Sequence, residues 1–453
     1  MNRDDIAALL DDRPDEGIFR VHKRAYEDEQ IFELEMKHLF ESGWVFLGLA
    51  NQVPHPHDFL TTWVGRTPVI VMRNAQGELN CFTNTCTHKR AQLCHTRTGN
   101  APVHVCPYHS WSFDSNGRSR GVKFMANGGY PASFKDCDRN LARLPRFDHY
   151  RGLMFASLNA DVMPLADYLG DACRLLDVAL DQGPDGIELV PGPVRWTFEG
   201  NWKMQLDNCT DGYHFGSVHP VYLKLLDQRA ADPDNARGFK AVWQGDKILE
   251  SQREKGSFSF KNGHCAVWSA NTSSDNHVLA AQRGELEQRL GAERASWNFR
   301  TRNLTIFPNL QIAENASSQL RIIRPLSARR TEMLTFCFGP IGEAKAQRQY
   351  RIRQYEDFFN PSGLATPDDA VLYEDCQDGY AAAEPQWQLG YLRGTALSTP
   401  EPNRFARQLG MRPAANVEAG NETFDESLMR EAYRTWHRAL LDGVSAPVER
   451  AAP

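Results

Sequence analysis

Two short segments of this chain each join a cysteine to a histidine: Cys86-Thr87-His88 and Cys106-Pro107-Tyr108-His109, with 17 residues between them. Together they offer two thiolates and two imidazoles from two loops. Two thiolates can hold one iron of a [2Fe–2S] cluster while two imidazoles hold the other, and the imidazoles raise the reduction potential. The competing chemistry is a structural zinc site, since Cys2His2 sets bind Zn2+ tetrahedrally. Zinc fingers, however, usually set Cys with Cys on a turn and His with His on a helix. Here each segment carries one of each, as two irons with different ligands require. Pro107, Tyr108, Trp111 and Phe113 flank the second segment, and Asn116-Gly117 marks a hairpin turn beyond it.

A stored electron of this Rieske kind calls for a second site that uses it. The stretch from Gly200 to Pro220 contains Asp211-x2-His214-x4-His219. On a helix over residues 207–217, Asp211 and His214 share a face, so the carboxylate can hydrogen-bond the imidazole. His214 and His219 lie about 140° apart at 100° per residue. They converge on one ion only if the helix loosens near Gly216, and Pro220 favours an ending there. Two imidazoles and one carboxylate form the facial triad of non-haem Fe(II) oxygenases. The missing carboxylate is sought in Thr366-Pro367-Asp368-Asp369, ahead of a helical run. The same stretch also reads as a cap at Thr366 with two first-turn aspartates, and the pattern does not choose between those aspartates. Asp211 reads as the group that fixes the His214 tautomer, or as a residue that caps or solvates the helix.

These residues need scaffolds. From Glu29 to Phe40, the residues Ile31, Phe32, Leu34, Met36, Leu39 and Phe40 recur at helical spacing and predict an amphipathic helix. Short strand-like runs follow at residues 59–64, 68–73 and 78–82, separated by Gly65-Arg66-Thr67 and Asn74-Ala75-Gln76-Gly77. Helical patterns are expected at residues 167–180, 207–217, 344–359 and 427–441, and strands at 192–199, 303–307, 319–323 and 333–338. The predicted fold class is α+β. A helical segment over 1–43 packs on the larger domain, an antiparallel β domain spans 44–160, and an α+β domain with a helix-covered antiparallel sheet spans 161–444. Residues 445–453 are expected to form a flexible tail.

The 453 residues carry a net charge of −6, which argues against nucleic acid or an anionic membrane as main partner. No apolar run approaches the roughly 20 residues needed to span a bilayer, and the start, Met1-Asn2-Arg3-Asp4-Asp5, has no secretory pattern. Ten cysteines are too sparse for a disulfide scaffold. Those outside the two pairs are expected as reduced, half-buried thiols of a cytoplasmic protein.

The chain resembles the large (alpha) subunit of Rieske non-haem iron aromatic ring-hydroxylating dioxygenases, from about Phe19 to Trp436, and most nearly the benzoate, anthranilate and 2-halobenzoate branch. The resemblance is carried by Leu34-Glu35-Met36-Lys37, Glu199-Gly200-Asn201-Trp202-Lys203, Asp211-Gly212-Tyr213-His214, Ser318-Gln319-Leu320-Arg321-Ile322-Ile323-Arg324-Pro325 and Arg353-Gln354-Tyr355-Glu356-Asp357-Phe358-Phe359-Asn360. It implies that Cys86, His88, Cys106 and His109 hold the cluster, and that His214, His219 and Asp369 hold mononuclear Fe(II). It makes Asp211 the bridge to His109 of a neighbouring subunit, hence a head-to-tail homotrimer. In that branch three small β subunits complete an α3β3 assembly. A separate reductase with FAD, with or without a ferredoxin, brings electrons from NADH. The implied reaction is O2-dependent hydroxylation of an aromatic carboxylate. The product is a cis-dihydrodiol, or a catechol after loss of CO2 and ammonia. Rieske monooxygenases, demethylases and salicylate-type hydroxylases share the same motifs.

The chain departs from the family at Arg90 and Ser110, where glycine is usual, and at Ile312-Ala313-Glu314-Asn315 near the expected pocket. Asn208 and Trp202 are candidates to line the iron cavity, with Trp202 equally suited to the core. Arg321 and Arg324 are candidates to anchor a carboxylate, against the plainer reading of a solvated strand face or a buried ion pair.

Overall fold

The computed structural model describes residues 1–231, 254–270, 277–419 and 424–445. The expected tail at 446–453 lies outside the described residues. The chain divides into two compact units, Met36–Ala166, and Met1–Glu35 with Asp167–Pro453. The first break therefore falls at Glu35, eight residues before the expected one at 43.

The smaller unit is built from antiparallel strands. Leu79–Thr83, Thr67–Arg73, Asp58–Val64 and Thr98–Asn100 form one sheet in that order. Its second strand is rich in β-branched residues, and Val69, Ile70, Val71 and Met72 are buried on both faces. The Gly65-Arg66 turn closes on the pair Val64↔Thr67, with Gly65 at φ 55°. Arg146–Tyr150, Leu153–Ser157 and Val45–Leu49 form a second sheet, and Ser119–Gly121, Ser112–Asp114 and Val103–Val105 a third. The turn between Ser112–Asp114 and Ser119–Gly121 contains Asn116-Gly117, as its composition predicts. One cysteine–histidine segment follows Leu79–Thr83, and the other joins two strands of the third sheet.

The larger unit centres on a nine-stranded antiparallel sheet. Eight strands run in the order Ile187–Leu189, Arg330–Pro340, Ser318–Ser327, Leu310–Glu314, Thr301–Ile306, Cys265–Ser269, Lys255–Ser259 and Ala415–Ala419. Val194–Phe198 also pairs with Arg330–Pro340. Helices Trp202–Thr210 and Lys345–Phe358 pack on this sheet. Gln311 ties the first of them down by donating from Nε2 to the carbonyls of Gln205 and Leu206 at 3.0 and 3.3 Å. Lys255–Ser259 and Leu310–Glu314 escape a search for alternation because all five residues of each are buried.

Five expectations require correction. The N-terminal segment is not helical throughout. Leu10–Arg13 and Ile18–His22 form a hairpin around Pro14-Asp15-Glu16-Gly17, where Gly17 adopts φ 67°. The helix expected at 29–40 is regular over Glu29–Glu35 and then widens into π-type turns over Met36–Glu41. The helix expected at 167–180 is broken into Leu165–Leu169, a tight turn at Gly170–Ala172, and Cys173–Leu180. The helix expected at 207–217 ends at Asp211 instead, with φ −90° and ψ 113°. There the Asp211 carboxylate accepts from the Tyr213 N–H at 2.6 Å, a local bond that competes with helical continuation. One short turn, Phe215–Val218, follows, and Pro220 opens a new helix, Pro220–Ala231, at the position where a missing N–H costs least. All ten cysteines are unpaired by disulfides, and Cys81, Cys209, Cys265 and Cys337 are fully rather than half buried.

Candidate active site

The break at Asp211 is what brings the histidines together. With the chain turned at 211–214, His214, His219 and Asp369 each present a ligand atom, all within 4.8 Å of one another. Asp369 Oδ1 lies 3.5 Å from His214 Nε2 and 3.3 Å from His219 Nε2. Its neighbour Asp368 is 45% exposed and comes only within 3.8 Å of His219 Nδ1. The helix that carries both aspartates is Thr366–Tyr380. Ala365 is its N-cap and no side chain caps it, so Thr366 is not the cap.

Asp211 Oδ2 accepts from His214 Nδ1 at 3.0 Å. That bond places the proton on Nδ1 and leaves the Nε2 lone pair facing Asp369. Burial disfavours the charged imidazole, but the Asp211 hydrogen bond and the charges of Asp211 and Asp369 outweigh it and raise the His214 pKa. The site therefore attracts a cation. Asn208 Nδ2 donates to Asp369 Oδ1 at 3.2 Å and lies 3.4 Å from His214 Nε2. His219 is 2% exposed, and its buried Nδ1 has no hydrogen-bond partner among the described residues. This donor set, two imidazoles and a carboxylate with a charge surplus, fits a divalent iron.

A cavity of about 100 Å³ opens over the triad. Phe215, Phe358, Phe424 and Val267 give it apolar walls, and Asn303, Asn315 and Arg321 add polar groups. Arg324 is elsewhere, paired with Glu332 at 3.2 Å. Trp202 is fully buried and donates to Glu35 Oε2 at 2.9 Å, which assigns it to the core. Sequence reasoning missed the polar layer beside the site. Asp207 Oδ2 accepts from Tyr391 and Tyr433 at 2.7 and 2.9 Å, and burial lifts its pKa to about 7. Its place one helical turn before Asp211 was the available signal.

In the smaller unit the two cysteine–histidine loops fold alike. The Cys86 N–H donates to Ala91 O and the Arg90 N–H to Cys86 O, at 2.8 and 2.9 Å. The Cys106 N–H donates to Trp111 O and the Ser110 N–H to Cys106 O, at 2.7 and 3.0 Å. Each loop turns on a left-handed residue, Arg90 at φ 61° and Ser110 at φ 59°. The His88 and His109 rings meet edge-on, with centroids 4.5 Å apart, and Trp111 stacks on His88 at 4.7 Å. Nδ1 of both histidines is buried without a hydrogen-bond partner among the described residues. Burial pushes the Cys86 thiol up, and the adjacent Cys106 thiol acts in the same direction. Two orphaned ring nitrogens beside two buried thiols fit a cluster held by mixed ligands.

Such loops on a small β unit, with a histidine–carboxylate triad over a helix-covered antiparallel sheet, define a Rieske-type non-haem iron oxygenase. Residues 43–144 match the Rieske [2Fe-2S] domain, and residues 182–439 match the ring hydroxylating alpha subunit (catalytic domain). The chain belongs to the ring-hydroxylating alpha-subunit family. It is 38% identical to toluate 1,2-dioxygenase subunit alpha of Pseudomonas putida, over 99% of this chain and 96% of that one. It is 37% identical to the anthranilate 1,2-dioxygenase large subunit of Acinetobacter baylyi, over 97% and 93%. Naphthalene 1,2-dioxygenase from Rhodococcus sp., solved with indole, superposes with a TM-score of 0.80 at 25% identity, over 98% and 99% of the two chains. The protein is thus an oxidoreductase of the dioxygenase class with a Rieske [2Fe–2S] cluster and a mononuclear iron. Among the described residues, no helix is long and apolar enough to cross a membrane.

Proposed function

We propose that this chain is the oxygenase component that hydroxylates the ring of an aromatic carboxylate, of the benzoate or anthranilate kind. The observation that carries the reading is one aspartate oxygen facing two imidazoles beneath an apolar cavity. The named substrates of the toluate and anthranilate relatives support it. In this reading His214, His219 and Asp369 hold the iron, and Cys86, His88, Cys106 and His109 hold the cluster. When bound, the cluster supplies single electrons and the iron supplies O2 activation.

The chain's own residues do the rest. Asp211 fixes the His214 tautomer, and from that position it is suited to bridge His214 to His109 of a neighbouring copy. Asn208 steadies the Asp369 carboxylate by donating to it. Phe215, Phe358 and Phe424 exclude water from the ring's face. A head-to-tail homotrimer, completed as α3β3 by small β subunits, fits the need for two centres from two copies. The working partners are a reductase, with or without a ferredoxin, in the cytoplasm.

The test is NADH oxidation by the oxygenase with a supplied reductase, across benzoate, anthranilate, salicylate and substituted benzoates, under 18O2. Both labelled atoms are expected in one diol or catechol. A product with one labelled atom would make this a monooxygenase, and the absence of turnover with every acid would overturn the substrate class.

A further inference from the structure

Five arginines lie on the strands of the nine-stranded sheet, and four have acidic partners. Arg195 and Arg324 pair with Glu332, Arg302 with Glu314, and Arg330 with Glu199. The fifth, Arg321, has no ion-pair partner among the described residues, although it lines the cavity that also contains His214, His219 and Asp369. Its Nε donates to Gln319 Oε1 at 2.5 Å, its Cζ lies 5.6 Å from the Phe359 ring centre, and its two terminal nitrogens have no hydrogen-bond acceptor among the described residues. A half-buried guanidinium without a counter-ion costs folding free energy, so stability does not account for it.

Arg321 is also held in place. Gln319 Nε2 donates to Asn360 Oδ1 at 3.1 Å, and the same oxygen accepts from Thr335 Oγ1 at 2.7 Å. With its amide nitrogen committed there, Gln319 turns Oε1 towards Arg321 and fixes the guanidinium fork. The cavity holds about 100 Å³, on the scale of the roughly 150 Å³ that admits one benzene ring.

We propose that Arg321 is the carboxylate anchor of this pocket, that Gln319 positions it, and that the substrate is a single-ring aromatic acid bound by a charge-assisted pair to the guanidinium fork. The inference rests on the aromatic-acid reading above and adds the residue that enforces it.

The test compares benzoate with benzamide, its neutral isostere, on the holoenzyme with its reductase. Labelled-ligand dialysis reads binding, and turnover reads KM. In Arg321→Gln the benzoate Kd and KM are expected to rise about 100-fold. Benzamide should change by less than about threefold, and iron content and cluster absorbance should hold. Arg321→Lys should recover part of the loss because it keeps the charge without the fork. Gln319→Leu should raise the benzoate KM about tenfold, with benzamide unaffected. Unchanged benzoate binding in Arg321→Gln overturns the anchor. So does a parallel loss of benzoate and benzamide, in Arg321→Gln or in Arg321→Lys, since a structural role would weaken both. Wild-type enzyme that binds neither benzoate nor any other ring acid overturns the functional reading, and the anchor with it.

Discussion

His214 Nδ1 and Asp211 Oδ2 are 3.0 Å apart, yet the two residues do not share a helix. The backbone is extended at Asp211, and the carboxylate closes a turn onto the Tyr213 N–H before it reaches the imidazole. One carboxylate therefore both breaks the helix and sets the tautomer of the histidine that follows.

Replacing Asp211 by Ala should leave iron and cluster content intact and lower coupled turnover roughly 10–100-fold or more. Metal analysis together with single-turnover reoxidation of the reduced cluster reads both. Normal coupled turnover in this variant would remove Asp211 from the electron route.

The adjacent aspartates should separate cleanly. Asp369→Asn is expected to lose the mononuclear iron while cluster absorbance persists, because Asp369 faces both imidazoles. Asp368→Asn, altering a side chain that is 45% exposed, should retain iron and most activity. Iron-to-sulfide ratios of the two purified variants decide it, and equal ratios would contradict the assignment.

Arg90 and Ser110 hold left-handed backbone at φ 61° and 59°, a conformation that costs a non-glycine residue about 1–2 kcal/mol. Part of any gain from glycine is offset by its freedom in the unfolded chain. Arg90→Gly and Ser110→Gly should each stabilise the cluster loops by about 0.5–1 kcal/mol. Thermal bleaching of the cluster absorbance should then shift up by a few degrees. A lower midpoint in both variants would mean that the native side chains hold the loops by contacts.

His264 is fully buried, accepts from the Phe307 N–H at Nδ1, 3.1 Å, and donates from Nε2 to Tyr168 O, 2.8 Å. Burial lowers its pKa to about 4, despite the opposing hydrogen bond to Tyr168. Its unfolded value is near 6.5, so protons favour the unfolded chain. The stability it contributes is complete above pH 6.5 and is lost as pH falls towards 4. Between pH 7 and 5 this amounts to about 2 kcal/mol. Thermal midpoints at both pH values should show a smaller drop in His264→Gln than in the wild type, and identical drops would exclude His264 as the source.

Much of the chemistry was legible because it is local. Cys86 with His88, and Cys106 with His109, lie within single loops, so residue type and spacing already imply mixed ligands. The strands at Asp58–Val64 and Thr67–Arg73 were legible for a similar reason, since close turns set their register. Lys255–Ser259 and Leu310–Glu314 were not, because burial on both faces erases the alternation by which a strand is recognised.

By itself, the sequence determined the donor types, the two-loop pattern, the α+β class and the family resemblance, all of which depend on neighbours within a few residues. Tertiary structure alone decided that Asp369, not Asp368, faces His214 and His219. Among the described residues it likewise left Arg321 without an ion-pair partner at the cavity while Arg324 meets Glu332. The first depends on packing between segments about 150 residues apart, and the second on which side of a strand faces which neighbours. Spacing along the chain carries no record of either.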